Sequence, residues 1–306
     1  MRIKCGAVMK KDLKDMVYGF VGLGLMGGSL AKAVRENVLS VADASGRIFA
    51  CDKNRTVLDL AKKGGIIDEG FSAETADDMI SACDFVYVCL YPHATLDFLT
   101  NHGSFFKKGA IVTDISGVKA GIVDGLSETL HDYADFIPGH PMAGSEKEGY
   151  IHSSGAVFSG RNYILLPQRT TNPENLVLFK ELITAIGFTR IIETDAETHD
   201  HKIAFTSQLC HIIASALVDS AEDEKITEFG GGSFEDLTRI AMINAPLWSE
   251  LFLANKKELL DHIESFEAAL DDLKELIRWN DGKGLTKKLE NVRKKRMAMS
   301  CIDTSA

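Results

Sequence analysis

No stretch of this sequence stays apolar long enough to cross a membrane, and the first fifteen residues lack the apolar centre of a signal peptide. The chain is therefore expected to work in the cytoplasm, away from any membrane. None of the six cysteines, at 5, 51, 83, 89, 210 and 301, pairs into a C-x-x-C motif. That argues against a zinc site and against a disulfide frame. Those at 51, 83 and 89 lie in or beside apolar runs, so they read as reduced core thiols, and no metal is expected. Positive charge is in deficit too: 34 basic against 44 acidic residues leave a net charge of −10, which excludes general attraction to nucleic acid or anionic membrane. An anionic ligand would need local help from an arginine, a lysine or a helix N-terminus. Internal repeats and low-complexity stretches are also missing.

What is present is a chain of 306 residues, 45% hydrophobic and 25% charged, enough for two domains with a real core. Residues 1–15 are basic and without period, and read as a peripheral N-terminal arm. Val17–Val21 is a short apolar strand that runs directly into Gly22-Leu23-Gly24-Leu25-Met26-Gly27. Glycines at 22, 24 and 27 have the G-x-G-x-x-G spacing, which turns the backbone tightly, admits a pyrophosphate and lets the next helix pack close. A second strand, Arg47–Cys51, ends in Asp52, 25 residues after Gly27. An acid there accepts hydrogen bonds from both ribose hydroxyls and repels a 2′-phosphate, so NAD is expected over NADP, with Lys53 and Arg55 nearby blunting the preference.

Helix and strand then alternate: a helix over 54–63, a strand over 85–90, a helix after His93, and a strand at 110–113 ending in Asp114. The pattern continues with a strand at 162–166, a helix at 173–186 and a strand at 189–193. This predicts a largely parallel sheet with helices on both faces, whose ligands bind at the carboxyl ends of the strands. Three loops at those ends should meet over the cofactor: 91–95, 114–119 and the segment holding His140. The cofactor-facing set is Gly22, Gly24, Leu25, Met26, Gly27, Asp52, Leu90, Pro92, Thr95 and Ser116. Ser116 also suits the cap of the following helix, and His93 reads as a surface residue. His140 stands in Gly-His-Pro-Met-Ala-Gly-Ser-Glu-Lys-Glu-Gly after the strand-like Phe136-Ile137, where glycines and a proline predict an irregular loop. An imidazole held there serves either local hydrogen bonds or proton transfer.

From Asp195 onward only helical periods occur, which places the domain boundary near 195: a dinucleotide-binding domain over 16–195 and a helical one over 196–306. A helix over 197–220 is expected to bury Phe205, Leu209, Ile212, Ala216 and Leu217. Its other side carries Asp200, Ala204, Gln208, His211 and Ser215, a small and polar stripe suited to a cleft or to solvent. Gly230-Gly231-Gly232 approaches a helix capped by Ser233. Arg239, among Leu237, Ile240, Ala241 and Ile243, would hold an anion through its planar fork or pair with Asp236 or another acid. A last major helix over 247–279 has apolar residues at 252, 259, 263, 266, 270, 273 and 277, a heptad seam for a homodimer or for packing within one chain.

Read together, the motifs resemble those of the prephenate dehydrogenase family, including relatives that use arogenate. The resemblance spans about residues 16–300 and rests on G-L-G-L-M-G-G-S-L, D-I-S-G-V-K at 114–119, the His140 segment, T-H-D-H at 198–201, L-T-R-I-A at 237–241 and Trp248, in the family's order. It implies a Rossmann-type domain followed by an all-α dimerisation domain. The implied activity is oxidative decarboxylation of prephenate to 4-hydroxyphenylpyruvate with reduction of NAD, on the route to tyrosine. On this reading His140 accepts the hydroxyl proton, Arg239 grips a substrate carboxylate, His211, Gln208, Glu146 and Trp248 line the pocket, and Ser116 orients the hydroxyl or His140. Two departures stand out. The family commonly has serine where this chain has Gly117, and S-H-L-P-H where this chain has Ser207-Gln208-Leu209-Cys210-His211. The 3-hydroxyacid dehydrogenases share the plan but resemble K-x-x-x-N, whereas Lys202 is followed here by Thr206. A non-catalytic NAD-binding sensor would leave His140 and Arg239 idle.

Overall fold

The strands form because β-rich apolar runs alternate between two cores. In β1 (Val17–Val21), Tyr18 and Phe20 face one cluster and Val21 the other. β2 (Arg47–Cys51) and β4 (Phe85–Val88) repeat the pattern: Ile48, Ala50, Phe85 and Tyr87 face one side, Phe49, Cys51, Val86 and Val88 the other. With β3 (Glu69–Phe71), β5 (Ala110–Asp114) and β6 (Ala134–Phe136) they make a six-stranded sheet of order β3-β2-β1-β4-β5-β6, parallel throughout. Being buried on both faces, it has no polar side to show. The order reverses between β1 and β4, and a crevice opens there at the carboxyl ends.

Helices cover each face. α1 (Leu25–Asn37) lies over the first cluster, and α2 (Arg55–Lys63) buries Leu58 and Ala61 in it. α3 (Ala76–Ala82), α4 (Pro92–His102) and α5 (Ala120–Gly125) bury Met79, Ile80, Leu99 and Ile122 in the second, while α6 (Glu128–Tyr133) leads into β6. Rings organise the first core: Phe20 stacks on Tyr87 at 5.4 Å and Phe85 meets Phe179 edge-on at 5.0 Å. Each such buried ring contributes about 1.5–3 kcal/mol of transfer free energy.

A second, separate sheet follows, built from strands that the alternating pattern did not set apart from the first. β7 (Gly139–Pro141) pairs antiparallel with β8 (Asn162–Leu165), which pairs parallel with β9 (Arg190–Glu193). α7 (Pro173–Ala185) packs Phe179 and Leu182 into the first core. His140 is thus a strand residue opposite Ile164, rather than part of an irregular loop. The two residues before Pro141 still extend, so the proline ends the strand instead of preventing it.

α8 (Ala196–Ile203) runs through a single π turn, Ala204–Gln208, into α9 (Leu209–Asp219). The expected inner face is corrected here: Phe205 and Leu217 are 51% and 38% exposed, while Asp200, Ala204 and Gln208 are buried. The polar stripe goes inside because Asp200 and Gln208 find hydrogen-bond partners there, and the π turn shifts the register by a residue. α10 (Gly232–Thr238) is capped by Gly231, not Ser233. The predicted 247–279 helix is two helices, α11 (Ala245–Ala254) and α12 (Lys256–Arg278), interrupted at Asn255. Asn255 is buried and its amide donates to the Asp200 carbonyl at 2.8 Å and to Gln208 Oε1 at 2.9 Å, bonds that a continuing helix would forfeit.

The computed structural model describes residues 12–126 and 128–300. Most of the expected N-terminal arm, with Cys5 and Cys301, lies outside the described residues; Leu13–Asp15 form one turn with Leu13 against the core. The chain divides into two units, Met1–Asn255 and Lys256–Ala306. In the second, α12 and α13 (Gly282–Ser300) are tied by Lys288 and Asp272 at 2.8 Å. Cys51 and Cys83 are buried and Cys89 partly so, but Cys210 is exposed. Burial pushes the Cys51 thiol up to about 11 and the Cys83 thiol to about 12, so both are unreactive at neutral pH. Among the described residues no helix is long and apolar enough to cross a membrane, and no cluster of three His, Cys, Asp or Glu is placed to hold a metal.

Candidate active site

A cleft of about 610 Å³ opens in the first unit at the carboxyl ends of the parallel strands. It is lined by the glycine turn (Gly24, Leu25, Met26, Gly27), the β4 end (Leu90, Tyr91, Pro92), Ser116 and Gly117, the 140–149 segment, and Gln208, His211, Arg239 and Trp248. A cleft of this size suits a small organic ligand or part of a dinucleotide. The three loops expected to meet do so.

The glycine turn is built as its spacing requires. Gly22 adopts φ +94°, a left-handed conformation, and its N–H donates to the Cys51 carbonyl at 2.7 Å. A Cβ at Gly24 would meet nothing within 4 Å, so the backbone there is open to a ligand. Three expected cofactor residues do not line the cleft. Gly22 shapes the turn from behind. Thr95 is fully buried and donates from its hydroxyl to the Leu90 carbonyl at 3.1 Å. Asp52 accepts the Leu23 N–H at 2.7 Å and the Asn54 N–H at 2.8 Å, which leaves its carboxylate with acceptor sites to spare beside the turn. Ser116 is only 5% exposed, and its hydroxyl has no hydrogen-bond partner among the described residues. An orphaned hydroxyl on a residue that lines the same cleft as an open glycine turn fits a dinucleotide that would supply the missing partner.

His140 reaches the cleft from β7. Its Nδ1 lies 2.9 Å from His199 Nε2, and His199 Nδ1 lies 2.7 Å from Asp200 Oδ1. Asp200 also accepts the N–H groups of Lys119 (2.9 Å) and Ala120 (2.8 Å). Lys119 is wholly buried; its ammonium pairs with Asp114 at 2.7 Å and donates to the Gly139 carbonyl, the residue before His140. Removing one member of such a buried pair costs about 3–5 kcal/mol. Burial pulls Lys119 down from its ordinary range, against the pull of Asp114 and Asp200. Burial, with His199 and Lys119 adding repulsion, holds the His140 imidazole well below its ordinary 6.5. At neutral pH His140 is therefore an uncharged base.

The opposite wall comes from the helices. His211 Nδ1 lies 2.9 Å from the Ser207 carbonyl, and its ring stacks on Trp248 with centroids 3.6 Å apart. Burial lowers the His211 pKa, and nearby Arg239 lowers it further. The guanidinium of Arg239 sits 3.6 Å from Glu146, not paired with Asp236, and is 59% exposed. An exposed pair at that distance contributes about 0–1 kcal/mol, so it yields readily to a better anion. Gln208 lines the wall, but its amide is engaged with the Leu251 carbonyl at 3.0 Å and with Asn255. It supports the wall rather than offering a free group. Asn244 bridges Glu148 at 2.8 Å and the Tyr91 hydroxyl at 3.0 Å, and exposed His93 donates its N–H to Glu250.

Sequence reasoning gave no role to His199, placed Asp200 only on the polar stripe, and left Lys119 and Asn244 without one. The first two lay in the T-H-D-H motif, but nothing local signals that His199 meets a residue 59 positions away.

Comparison with known proteins agrees with this geometry. The family model described as prephenate dehydrogenase, nucleotide-binding domain, matches residues 30–192, and the one described as prephenate dehydrogenase, dimerization domain, matches residues 195–291. The chain is 28% identical to prephenate dehydrogenase of Bacillus subtilis, over 90% of this chain and 73% of that one. It is 30% identical to cyclohexadienyl dehydrogenase of Zymomonas mobilis, over 91% of this chain and 94% of that one. Its structure resembles that of prephenate dehydrogenase from Aquifex aeolicus in complex with hydroxyphenyl propionate and NAD+, with a TM-score of 0.82 and 33% identity, covering 93% of this chain and 98% of that one. A nucleotide-binding half and a helical half, each matched in order and joined at one cleft, place this chain in the prephenate dehydrogenase family.

Proposed function

We propose that the protein is an NAD-dependent prephenate dehydrogenase that forms 4-hydroxyphenylpyruvate for tyrosine synthesis. The observation that carries this reading is the single cleft that gathers an open glycine turn, a neutral histidine and an arginine loosely held by an exposed acid. NAD, when bound, accepts the hydride from C4 of the substrate ring. Gly24, Leu25, Met26, Gly27 and Ser116 would hold it, with Asp52 reading the ribose. His140 takes the proton of the C4 hydroxyl as the carbon–hydrogen bond breaks, because an alcohol becoming a ketone needs a base near neutrality. Arg239 exchanges Glu146 for a substrate carboxylate. The new carbonyl draws the electron pair of the breaking carbon–carboxylate bond as carbon dioxide leaves, and its oxygen takes back the proton held by His140, so the ring becomes a phenol. Aromatisation of the ring makes this second half downhill.

The alternative substrate is arogenate, and one observation favours testing it: His211 commits Nδ1–H to the Ser207 carbonyl, which leaves Nε2 as an acceptor for an ammonium group. Mixing the purified protein with NAD and prephenate, and separately with arogenate, while following NADH formation decides between them; no NADH from either sinks the enzyme reading.

The helical region would form a cytoplasmic homodimer. Leu270 and Ile277 of the seam are 53% and 62% exposed, and apolar rows of this kind on a helix call for a partner. Light scattering should give twice the chain mass, and a monomer at micromolar concentration would refute the dimer.

A further inference from the structure

The proton taken by His140 needs a bare ring nitrogen on the substrate side, and the surroundings of the ring decide which nitrogen that is. The chain of contacts runs inward from a fixed end. Asp200 accepts two backbone N–H groups, from Lys119 and Ala120, and a carboxylate has only acceptor roles, so His199 Nδ1 must donate to it. His199 is 2% exposed, and Asp200 is 4% exposed, so no bulk solvent competes for these bonds. Once Nδ1 carries the proton, the Nε2 of a neutral His199 is a lone pair. At 2.9 Å it can only accept, and His140 Nδ1 must be the donor. His140 is left with Nε2 bare.

Resting on the proposed function, and going one step beyond it, we propose that His199 is a positioning residue that fixes His140 as the Nδ1–H tautomer and ties the charge His140 gains in the reaction to Asp200. His140 keeps its Nδ1 proton throughout and gains one at Nε2, so no proton leaves the pair during hydride transfer. The imidazolium that forms then points its Nδ1–H, through His199, at the carboxylate of Asp200. Lys119 and Asp114 also face this cluster and largely neutralise each other at 2.7 Å. Burial keeps His199 itself neutral, in keeping with its acceptor role. The design follows the logic by which a buried acid orients a catalytic imidazole, with a second imidazole inserted between the two.

The direct test is nitrogen NMR of the ¹⁵N-histidine-labelled wild-type protein at neutral pH, with His140 assigned by its absence in His140→Asn. Protonated Nδ1 and bare Nε2 on His140 is the result expected; a proton on Nε2 overturns the proposal. This readout needs no turnover, so it stands apart from whether prephenate is the substrate. The kinetic test compares His199→Leu, which cannot accept a hydrogen bond, with His199→Gln, whose amide oxygen can. His199→Leu should lower kcat by about 100-fold with both KM values within about threefold, and His199→Gln should recover about tenfold of it. Equal losses in the two variants, or losses confined to KM, would mean that His199 only holds the fold together. Where a His199 variant does not fold, the assigned His140 resonances decide.

Discussion

A methyl group on Gly27 would overlap the carbonyl oxygen of Gly22, itself held at φ +94° at the end of β1. The two glycines of the turn are pressed together, with no flexible side chain available to move aside. Gly24, between them, meets nothing.

This contrast separates fold from cofactor binding. Gly27→Ala should lower the Tm by several degrees and abolish NAD binding, since backbone must shift. Gly24→Ala should leave the Tm unchanged and weaken NAD by about tenfold, through loss of close approach alone. Calorimetric titration with NAD beside a thermal melt checks both, and equal Tm losses in the two variants would contradict the geometry.

His140→Asn removes the base while keeping a polar side chain of similar reach. Turnover should fall by about 1,000-fold, within the range general bases contribute, while NAD affinity stays within about threefold. Full turnover in a variant that binds NAD normally would refute the assignment of His140.

Arg239→Ala should act on the substrate and not on the cofactor. The substrate KM is expected to rise by about 10–100-fold, the effect of losing one charge-assisted hydrogen bond of about 1.5–3 kcal/mol, with the NAD KM unchanged. Arg239→Lys should recover only part of the loss, because an ammonium lacks the planar fork.

Acid should destabilise the protein earlier than carboxylate protonation alone would. His140, His199 and His211 all have folded-state pKa values below the ordinary 6.5. As pH falls past that value, the unfolded chain takes up protons that the folded chain refuses, so stability declines from there toward the lowered values. Above it both states are neutral at these rings and their contribution is flat. Urea melts across the neutral-to-acid range should show this decline, reduced in His140→Asn. A stability that rises as pH drops through that window would contradict the burial of the rings.

The glycine spacing, the alternation of strands and helices and the acid at Asp52 were readable one residue after another, because each depends on local backbone preference and on period. The boundaries of β1 and β2 followed from such runs of apolar residues alone. The family's motifs likewise stood in the sequence, and with them His140 and Arg239. On the first long helix Phe205 and Leu217 were misread as inner, because an apolar residue reads as inner by period, whereas the polar stripe suited to a cleft does go inward, where partners distant in sequence satisfy it. Asp200 finds them at Lys119 and Ala120, and Gln208 at Leu251 and Asn255.

What the sequence determined by itself is therefore the kind of protein: a dinucleotide fold, a helical region with an apolar seam, and a histidine at a strand end. What only the tertiary structure decided is how that histidine is held. A pairing of β7 with β8 turned an expected loop into a strand, and the buried Lys119–Asp114 pair pinned Gly139 beside it. The π turn helped carry the polar face inward, and α8 brought His199 and Asp200 to within hydrogen-bonding distance. A proton's position on an imidazole depends on its neighbours in space, and those neighbours are brought together by packing that no local pattern of residues encodes.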